Sequence, residues 1–234
     1  LALLDEQGWD VTQDTNYKDI IYINSHRGSL EKSEAFIKGY ITFMDKASML
    51  VARLVNPQPG ERILDCCAAP GGKSMYMAAL MDNVGSLMSC DIHEHKIELM
   101  NSNAERLGAS IVHTKVQDAT KLPDSWNSYF DRVLVDAPCS GLGILQKKLD
   151  MRWRKQESIL SELPPLQLAI LERAAMMVKE KGYLIYSTCT LNYKENEEVV
   201  EAFLQKHKEF SIIPVAEDFP LKSNSGMITT YPPT

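Results

Sequence analysis

Two cysteines stand just after predicted strands, together with one carboxylate. Cys189, in "STCTLNYKENEE", follows the apolar run 182–186, and Cys139 lies in "DAPCSGLG" after a similar run. Asp136 precedes Cys139 by three residues, and Pro138 stiffens the turn between them. Open α/β sheets carry their chemistry at the carboxyl ends of the strands. If the two strands are neighbours, both thiols and the carboxylate meet in one cleft.

The other cysteines favour a structural interpretation. A free cysteine is usually buried and inert, and this holds for Cys66, Cys67 and Cys90, which lie on or beside predicted strands. Cys139 and Cys189 differ, because both lie in loop positions flanked by Ser or Thr. Five cysteines, two of them adjacent, do not suit a disulfide framework, and no Cys-x-x-Cys pair indicates zinc. We therefore expect a reducing cytoplasm and no metal.

A glycine-containing turn, "DCCAAPGGKS" at 65–74, follows the first strand of the alternating region. A strand, a turn of small residues and a helix start form a typical site for a nucleotide-like ligand. The turn is neither Gly-x-Gly-x-x-Gly nor a P-loop, which disfavours dehydrogenases and kinases. Without pyrophosphate-binding glycines, it fits S-adenosylmethionine better than NAD.

Two further acids support an adenosine-bearing ligand. Asp91 ends the next strand, 19 residues after Gly72, where an acid accepts hydrogen bonds from ribose hydroxyls. Asp118 ends the third strand, where it could meet an adenine amino group. Taken alone, each acid is more often a helix cap or turn residue. Together, the glycine-containing turn, Asp91 and Asp118 stand at three successive strand ends, which favours an adenosine-bearing ligand.

Carbon 5 of a pyrimidine is the methyl acceptor that needs a thiol. Oxygen and nitrogen acceptors have lone pairs, whereas carbon 5 becomes nucleophilic only after a thiolate adds to carbon 6. An acid near ring nitrogen 3 stabilises the developing charge, and a base then removes the carbon-5 proton. A nucleophile, an acid and a helper thiol account for Asp136 and the two cysteines, but this logic alone does not order the thiols.

The alternation of strands and helices predicts a doubly wound, Rossmann-like α/β fold with a small N-terminal appendage. Before it, the pattern indicates a short first helix, a strand at 19–24, a loop at 28–39 and a helix at 46–54 capped by Asp45. The predicted strands of the main sheet are 62–67, 86–91, 111–116, 131–138, 183–188 and 210–215, and the predicted helices are 73–81, 94–107, 165–178 and 195–206.

The charge balance is unusual for a nucleic-acid binder. The 234 residues carry a net charge of −6 with a pI near 5.4, whereas such proteins usually show a basic footprint. The run 147–155 is the exception, with five basic residues, one acid and an aromatic ring. A solvated loop is one interpretation, and a phosphate-contacting loop with a stacking ring is the other. The predicted RNA contacts are Lys147, Lys148, Arg152, Trp153, Arg154 and Lys155.

Three motifs, "CCAAPGGKS", "DAPCSGLG" and "YSTCTLNYKENEEVV", resemble the signatures of the Sun/Fmu type of RNA cytosine-5 methyltransferase, in order and over 39–214. The resemblance implies an S-adenosylmethionine-dependent enzyme in which Cys189 is the nucleophile and Cys139 assists product release; DNA cytosine methyltransferases use the other thiol. Lys73 and Asp136 join the catalytic groups. The implied cofactor residues are Cys67, Ala68, Ala69, Pro70, Gly71, Gly72, Lys73, Asp91, Asp118 and Asp136.

Within that family, "GYITFMDKAS" resembles the segment before the catalytic domain in the type-B subgroup that acts on bacterial small-subunit ribosomal RNA. Residues 1–40 then correspond to the end of an N-terminal RNA-binding region, and 41–234 to a methyltransferase domain whose final strand is missing. Met44 and Leu149 depart from the usual Gln and Pro. The resemblance implies 16S ribosomal RNA as the substrate.

Alternative functions stay open. A transfer RNA cytosine-5 methyltransferase would use the same site. An amino-group methyltransferase favours Asn/Asp-Pro-Pro-aromatic after the fourth strand, and "DAPC" argues against it. A non-catalytic RNA-binding module that keeps the cofactor fold is disfavoured by the presence of both thiols and all the acids. No apolar run of ~20 residues indicates a membrane span, and a monomer is assumed.

Overall fold

A computed structural model describes residues 1–26, 28–144, 159–215, 219–221, 223 and 226–231. Its centre is a five-stranded sheet in which every strand pair is parallel. The strands are β3 (Arg62–Asp65), β4 (Ser86–Asp91), β5 (Val112–Val116), β6 (Phe130–Asp136) and β7 (Val178–Ser187). Their order in the sheet is β5-β4-β3-β6-β7.

The strand order places a switch point between β3 and β6. The chain runs outward from β3 through β4 to β5 and then returns to the other side of β3. In such sheets the ligand crevice lies where the direction of winding reverses. The helices of this region are α3 (Lys46–Val55), α4 (Gly72–Leu80), α5 (Glu94–Leu107), α6 (Ile159–Ala175) and α7 (Glu197–Lys206).

Two apolar cores cover the two faces of the sheet, as the doubly wound class requires. On one face, the α6 and α7 side chains of Ile170 and Phe203 join β6 residues such as Val133. On the other, Met77 of α4 and Met100 of α5 pack beside Ile63 of β3. The prediction of a doubly wound α/β fold is confirmed.

A small antiparallel hairpin forms the N-terminal appendage, with its own core of Leu4, Trp9 and Ala35. The Arg106 guanidinium of α5 fastens this part to the main domain by donating to the main-chain oxygens of Phe36 (2.8 Å) and Ile41 (3.2 Å). Its elements are α1 (Ala2–Glu6), β1 (Asp10–Gln13), β2 (Ile21–Ser25) and α2 (Glu34–Ile37). Five 3₁₀ turns complete the described elements: Leu30–Lys32, Ala119–Lys121, Asp124–Trp126, Leu142–Ile144 and Tyr193–Glu195.

Three sequence predictions about elements were wrong. The predicted strand at 210–215 has no regular structure, and its Ile212 and Ile213 are exposed, so apolar character alone did not make a strand. The predicted loop at 28–39 contains α2, because the Ser33 hydroxyl accepts from Phe36 N and caps a short helix. The helix predicted to end at 178 ends at 175, and β7 begins at 178 through an irregular pairing with β6.

No helix within the described ranges is long and apolar enough to cross a bilayer.

Candidate active site

The turn between β3 and α4 is built by its main chain. The Ala68 N–H donates to Cys90 O, and the Gly71 N–H donates to Ala68 O, both at 2.7 Å. Gly71 has φ +99°, and a Cβ there would meet the Met100 side chain at 3.0 Å. Only glycine adopts this conformation without strain. The turn directs the start of α4 toward the switch point, where free N–H groups favour an anionic ligand.

A buried polar chain supports this turn from below. The Ser74 hydroxyl donates to Asp65 Oδ2 at 2.7 Å, and the Ser89 hydroxyl donates to Ser74 Oγ at 2.9 Å. All three side chains are buried, and burial raises the pKa of Asp65 to about 7. The chain joins β3, α4 and β4. Sequence reasoning missed it, although small hydroxyl residues at buried positions of α4 and β4 were a usable signal.

The two acids expected to bind the adenosine moiety lie at adjacent strand ends. Asp91 Oδ1 accepts from the His93 N–H at 2.9 Å and lies 3.6 Å from Lys96 Nζ. Asp118 Oδ1 accepts from Thr120 Oγ1 and Thr120 N, which lowers the pKa of that carboxyl. Both acids therefore cap local turns, as the simpler interpretation predicted. Their position at the edge that carries the glycine turn is compatible with ligand binding as well.

Asp136 links the cofactor turn to the cysteine region. Its Oδ2 accepts from Lys73 Nζ at 2.7 Å, so the first turn of α4 reaches across the switch point to the end of β6. Its Oδ1 accepts from the Ser187 hydroxyl at 2.6 Å. Sequence reasoning missed Ser187. The parallel register pairs Asp136 with Ser187, so a correct strand alignment would have found it.

The two thiols meet, as expected from neighbouring strands. Cys139 Sγ and Cys189 Sγ are 2.9 Å apart, and the Cys189 N–H donates to Cys139 Sγ at 3.1 Å. The hydrogen bond from Cys139 lowers the pKa of Cys189 to about 7 despite the opposing effect of burial, with help from the positive charge of Lys73. The same contact, followed by burial, raises the pKa of Cys139. One thiol of the pair is therefore poised to ionise near neutral pH.

The three remaining cysteines lack this environment. Burial raises the pKa of Cys66 and of Cys67, and it raises the pKa of Cys90 to about 12. Thiols that stay protonated are poor nucleophiles. The geometry thus separates the five cysteines into one close pair and three inert groups, in the way that their sequence positions predicted.

A second buried polar cluster lies beneath the thiols, and sequence reasoning missed its central members, Gln167 and Glu195. Ser140 and Thr190, the residues that follow the two cysteines, are joined through their hydroxyls at 2.8 Å. The Glu195 carboxylate accepts from the Ser140 N–H at 2.8 Å and from Gln167 Nε2 at 3.0 Å. We call Ser140, Gln167, Thr190, Asn192, Glu195 and Asn196 the polar cluster.

The predicted RNA-contacting residues lie outside the described part of the chain. These are Lys147, Lys148, Arg152, Trp153, Arg154 and Lys155.

Comparisons with known proteins agree with this geometry. The family model described as "16S rRNA methyltransferase RsmB/F" matches residues 52–234. The "Probable ribosomal RNA small subunit methyltransferase B" of Bacillus subtilis is 45% identical over 79% of this chain and 41% of its own. The Synechocystis protein of the same description is 38% identical over 88% of this chain and 47% of its own. The chain spans less than half the length of either relative.

A solved structure extends the likeness to three dimensions. "NSun6 from Pyrococcus horikoshii with SFG" superposes with a TM-score of 0.76 at 31% identity, over 88% of this chain and 53% of the other. The methyltransferase fold and S-adenosylmethionine as its cofactor, both predicted from the sequence, are thereby confirmed. The three motifs, the parallel sheet and the match over 52–234 lead to one identification: the chain belongs to the 16S rRNA methyltransferase RsmB/F family.

Proposed function

We propose that this chain carries the catalytic site of an enzyme that methylates carbon 5 of a cytosine in small-subunit ribosomal RNA through a covalent cysteine–cytosine adduct. The observation that carries the proposal is the thiol pair. Cys139 and Cys189 lie 2.9 Å apart beside the Asp136–Lys73 pair, which itself joins them to the cofactor turn. A nitrogen or oxygen acceptor would need no such pair.

In the first half of the reaction, the Cys189 thiolate forms a bond to carbon 6 of the ring, and the electrons of the 5,6 double bond make carbon 5 nucleophilic. Bound at the turn 67–73, S-adenosylmethionine would supply the methyl group to carbon 5, with its methyl–sulfur bond breaking and S-adenosylhomocysteine leaving. Asp136 and Lys73 form the charged pair that we assign to ring nitrogen 3, where charge develops during attack. Ser187 keeps Asp136 oriented by donating to its other oxygen.

In the second half, carbon 5 loses its proton to a base. The electrons of that carbon–hydrogen bond restore the double bond, the bond from carbon 6 to sulfur breaks, and Cys189 leaves as a thiolate. We assign Cys139 to this release for two reasons. Its sulfur contacts that of Cys189, and its raised pKa keeps it a thiol, which can donate a hydrogen bond to the departing Cys189 sulfur. Cys189 is the nucleophile because it is the more exposed thiol and has the lowered pKa.

The turn residues fit the cofactor by shape and charge. The main chain from Cys67 to Lys73 leaves N–H groups at the start of α4, and a Cβ at Gly72 would have only the end of the Met44 side chain, at 4.0 Å, as a near neighbour. Asp91 is assigned to the ribose hydroxyls and Asp118 to the adenine amino group. The cofactor-binding set is thus Cys67, Ala68, Ala69, Pro70, Gly71, Gly72, Lys73, Asp91, Asp118 and Asp136.

RNA that contains 5-fluorocytosine tests the reaction. Fluorine cannot leave carbon 5 as a proton does, so a carbon-5 methyltransferase stays covalently bound after methyl transfer. We expect a protein–RNA band on denaturing gels that requires S-adenosylmethionine and maps to Cys189. Methyl transfer without any adduct would point to a nitrogen or oxygen acceptor, and cofactor binding without methyl transfer would indicate a non-catalytic RNA-binding module.

The same assay compares RNA substrates. Transcripts of 16S ribosomal RNA regions and of transfer RNAs, each carrying 5-fluorocytosine, should differ in the rate of adduct formation, with the ribosomal RNA faster. A faster transfer RNA would replace ribosomal RNA as the substrate.

The basic run 147–155 is the part of the chain that we assign to RNA phosphates. Neutralising its five basic residues should flatten the salt dependence of RNA binding by about 0.7–0.9 in log–log slope per lost contact. These residues are Lys147, Lys148, Arg152, Arg154 and Lys155.

A further inference from the structure

We infer that Glu195 is a positioning residue that holds the two cysteine loops together and so keeps Cys139 in hydrogen-bonding contact with Cys189. The inference rests on the proposed function, because it assigns the buried polar cluster to the thiols that carry out the proposed reaction. Glu195 touches neither thiol. It acts through the residues that flank them.

The position of Glu195 is unusual for a carboxylate. Its side chain is fully buried, where an ionised group is costly unless hydrogen bonds compensate it. Its oxygens accept from Ser140 N and Gln167 Nε2 at Oε2, and from Asn192 Nδ2 at Oε1. Burial acts to raise the pKa of Glu195, but hydrogen bonds from the side chain and main chain of Ser140, then from Asn192 and Gln167, outweigh it and the pKa is lowered. The group is therefore a carboxylate at neutral pH.

Both neighbours of Cys139 are fixed by this group. The Ser140 N–H donates directly to Glu195 Oε2. Gln167 Nε2 also lies 2.9 Å from Pro138 O, so one side-chain amide bridges the residue before Cys139 and Glu195. The main chain on each side of the thiol is thereby tied to a single carboxylate.

The Cys189 loop is attached to the same cluster. The Thr190 hydroxyl contacts the Ser140 hydroxyl at 2.8 Å, and Asn196 Nδ2 donates to Thr190 O at 3.0 Å. On the other side of Cys189, the Thr188 hydroxyl donates to Asn196 Oδ1 at 2.6 Å. Asn196 follows Glu195 directly, so the two cysteine loops are held by consecutive residues of one 3₁₀-to-helix junction.

A carboxylate is required here because every group that bonds to its oxygens is a donor. An amide offers one oxygen, so the substitution Glu195→Gln turns an N–H group toward at least one of these donors. The side chain at 192 offers a way to repair this. In the double variant Asn192→Asp with Glu195→Gln, the amide at 195 donates to the new carboxylate, and its oxygen still accepts from Ser140 N and Gln167.

Loosening the two cysteine loops should change the pH at which the Cys189 thiol ionises. The titratable groups that face it are Cys139, Asp136 and Lys73, and the contact with Cys139 is the one that the cluster maintains. The probe is the pH dependence of Cys189 alkylation by iodoacetamide, followed by mass spectrometry of the Cys189 peptide. It needs neither RNA nor cofactor.

For Glu195→Gln we expect the alkylation midpoint to move up by about one pH unit, from the native value toward the ordinary cysteine value of about 8.5. The double variant should return it toward the native value, and Glu198→Gln, an exposed glutamate of α7, should leave it unchanged. A folded Glu195→Gln with a native midpoint would overturn the inference, as would a shift that the double variant does not reverse.

A variant that fails to fold would not end the test. S-adenosylhomocysteine binding, measured by calorimetry, reports on the separate cofactor turn and identifies folded protein. If Glu195→Gln is unfolded, Gln167→Met removes the amide that bridges Pro138 O and the Glu195 carboxylate but keeps the bonds from Ser140 and Asn192 to that carboxylate. A smaller upward shift is then expected, and no shift would contradict the inference. If the native protein formed no adduct with 5-fluorocytosine RNA, the proposed reaction would be wrong. The alkylation midpoint of Cys189 would still show whether Glu195 holds Cys139 against Cys189.

Discussion

The cofactor turn and the thiol cleft lie on opposite sides of one switch point but are built in different ways. The turn is a contiguous stretch whose shape follows from its own main chain, with Gly71 at φ +99° and short hydrogen bonds to neighbouring strands. The cleft is assembled from segments far apart in the chain, whose side chains meet at Glu195. We therefore expect the shape of the turn to depend mainly on its own main chain, and that of the cleft to depend on each of its side chains.

Substitution of either thiol should give the largest change in turnover or in covalent RNA while leaving the cofactor turn intact. Cys189→Ala removes the nucleophile, so turnover and covalent RNA should both be lost. Cys139→Ala leaves the nucleophile but impairs release, so a stable protein–RNA adduct should accumulate. Denaturing gels with labelled RNA measure both, and calorimetry should show unchanged S-adenosylhomocysteine binding in each variant. An adduct with Cys189→Ala instead would reverse the two roles.

On the cofactor side, Asp91→Ala should weaken S-adenosylmethionine binding by about 2–4 kcal/mol, because two hydrogen bonds to a charged acceptor are lost. Calorimetry gives the affinity directly. Alkylation of Cys189 should keep its native pH midpoint, since Asp91 lies at the end of β4 and contacts His93 and Lys96 rather than the thiols. Unchanged affinity would remove Asp91 from the cofactor site.

The turn itself offers a matched pair of glycines. Gly71→Ala forces a left-handed conformation on alanine and brings its Cβ to 3.0 Å from Met100, so we expect a loss of about 1–3 kcal/mol in the free energy of unfolding. Gly72→Ala adds a Cβ at the first residue of α4, in ordinary contact with Met44 Cε at 4.0 Å, and should cost little, because alanine favours helix. Urea denaturation measures both; equal losses would show that the conformation of Gly71 is not what matters.

The same contrast explains what the sequence could predict. The turn, the strand ends that carry Asp91 and Asp136, and the meeting of Cys139 with Cys189 all follow from local motifs and from the adjacency of strands. Gln167 and Glu195 could not be found this way. Gln167 lies within the long helix α6 and Glu195 next to α7, where polar residues are ordinarily solvent-facing, and only the packed fold shows that both are buried.

The predictions of individual elements that were wrong failed for related reasons. The strand predicted at 210–215 depends on a partner that the described chain does not bring beside it, so local apolar pattern was not sufficient. The early start of β7 depends on an irregular pairing near Phe130, which is a property of two strands together. The segments that were predicted correctly have their pairing partners beside them in the sheet, whereas the strand predicted at 210–215 has none among the described strands.

The smallest expected effect isolates the contact between the thiols. Cys139→Ala removes the hydrogen-bond donor that most lowers the pKa of Cys189, so that pKa should rise from about 7 toward the ordinary value of about 8.5. The thiolate is the reactive form, so alkylation at pH 7 should slow while the rate above pH 9 stays near the native plateau. Lys73→Met tests the weaker influence of the nearby positive charge and should shift the midpoint in the same direction but less. A midpoint that stays near 7 in Cys139→Ala would mean that the low pKa belongs to the loop and its surroundings rather than to the pair of thiols.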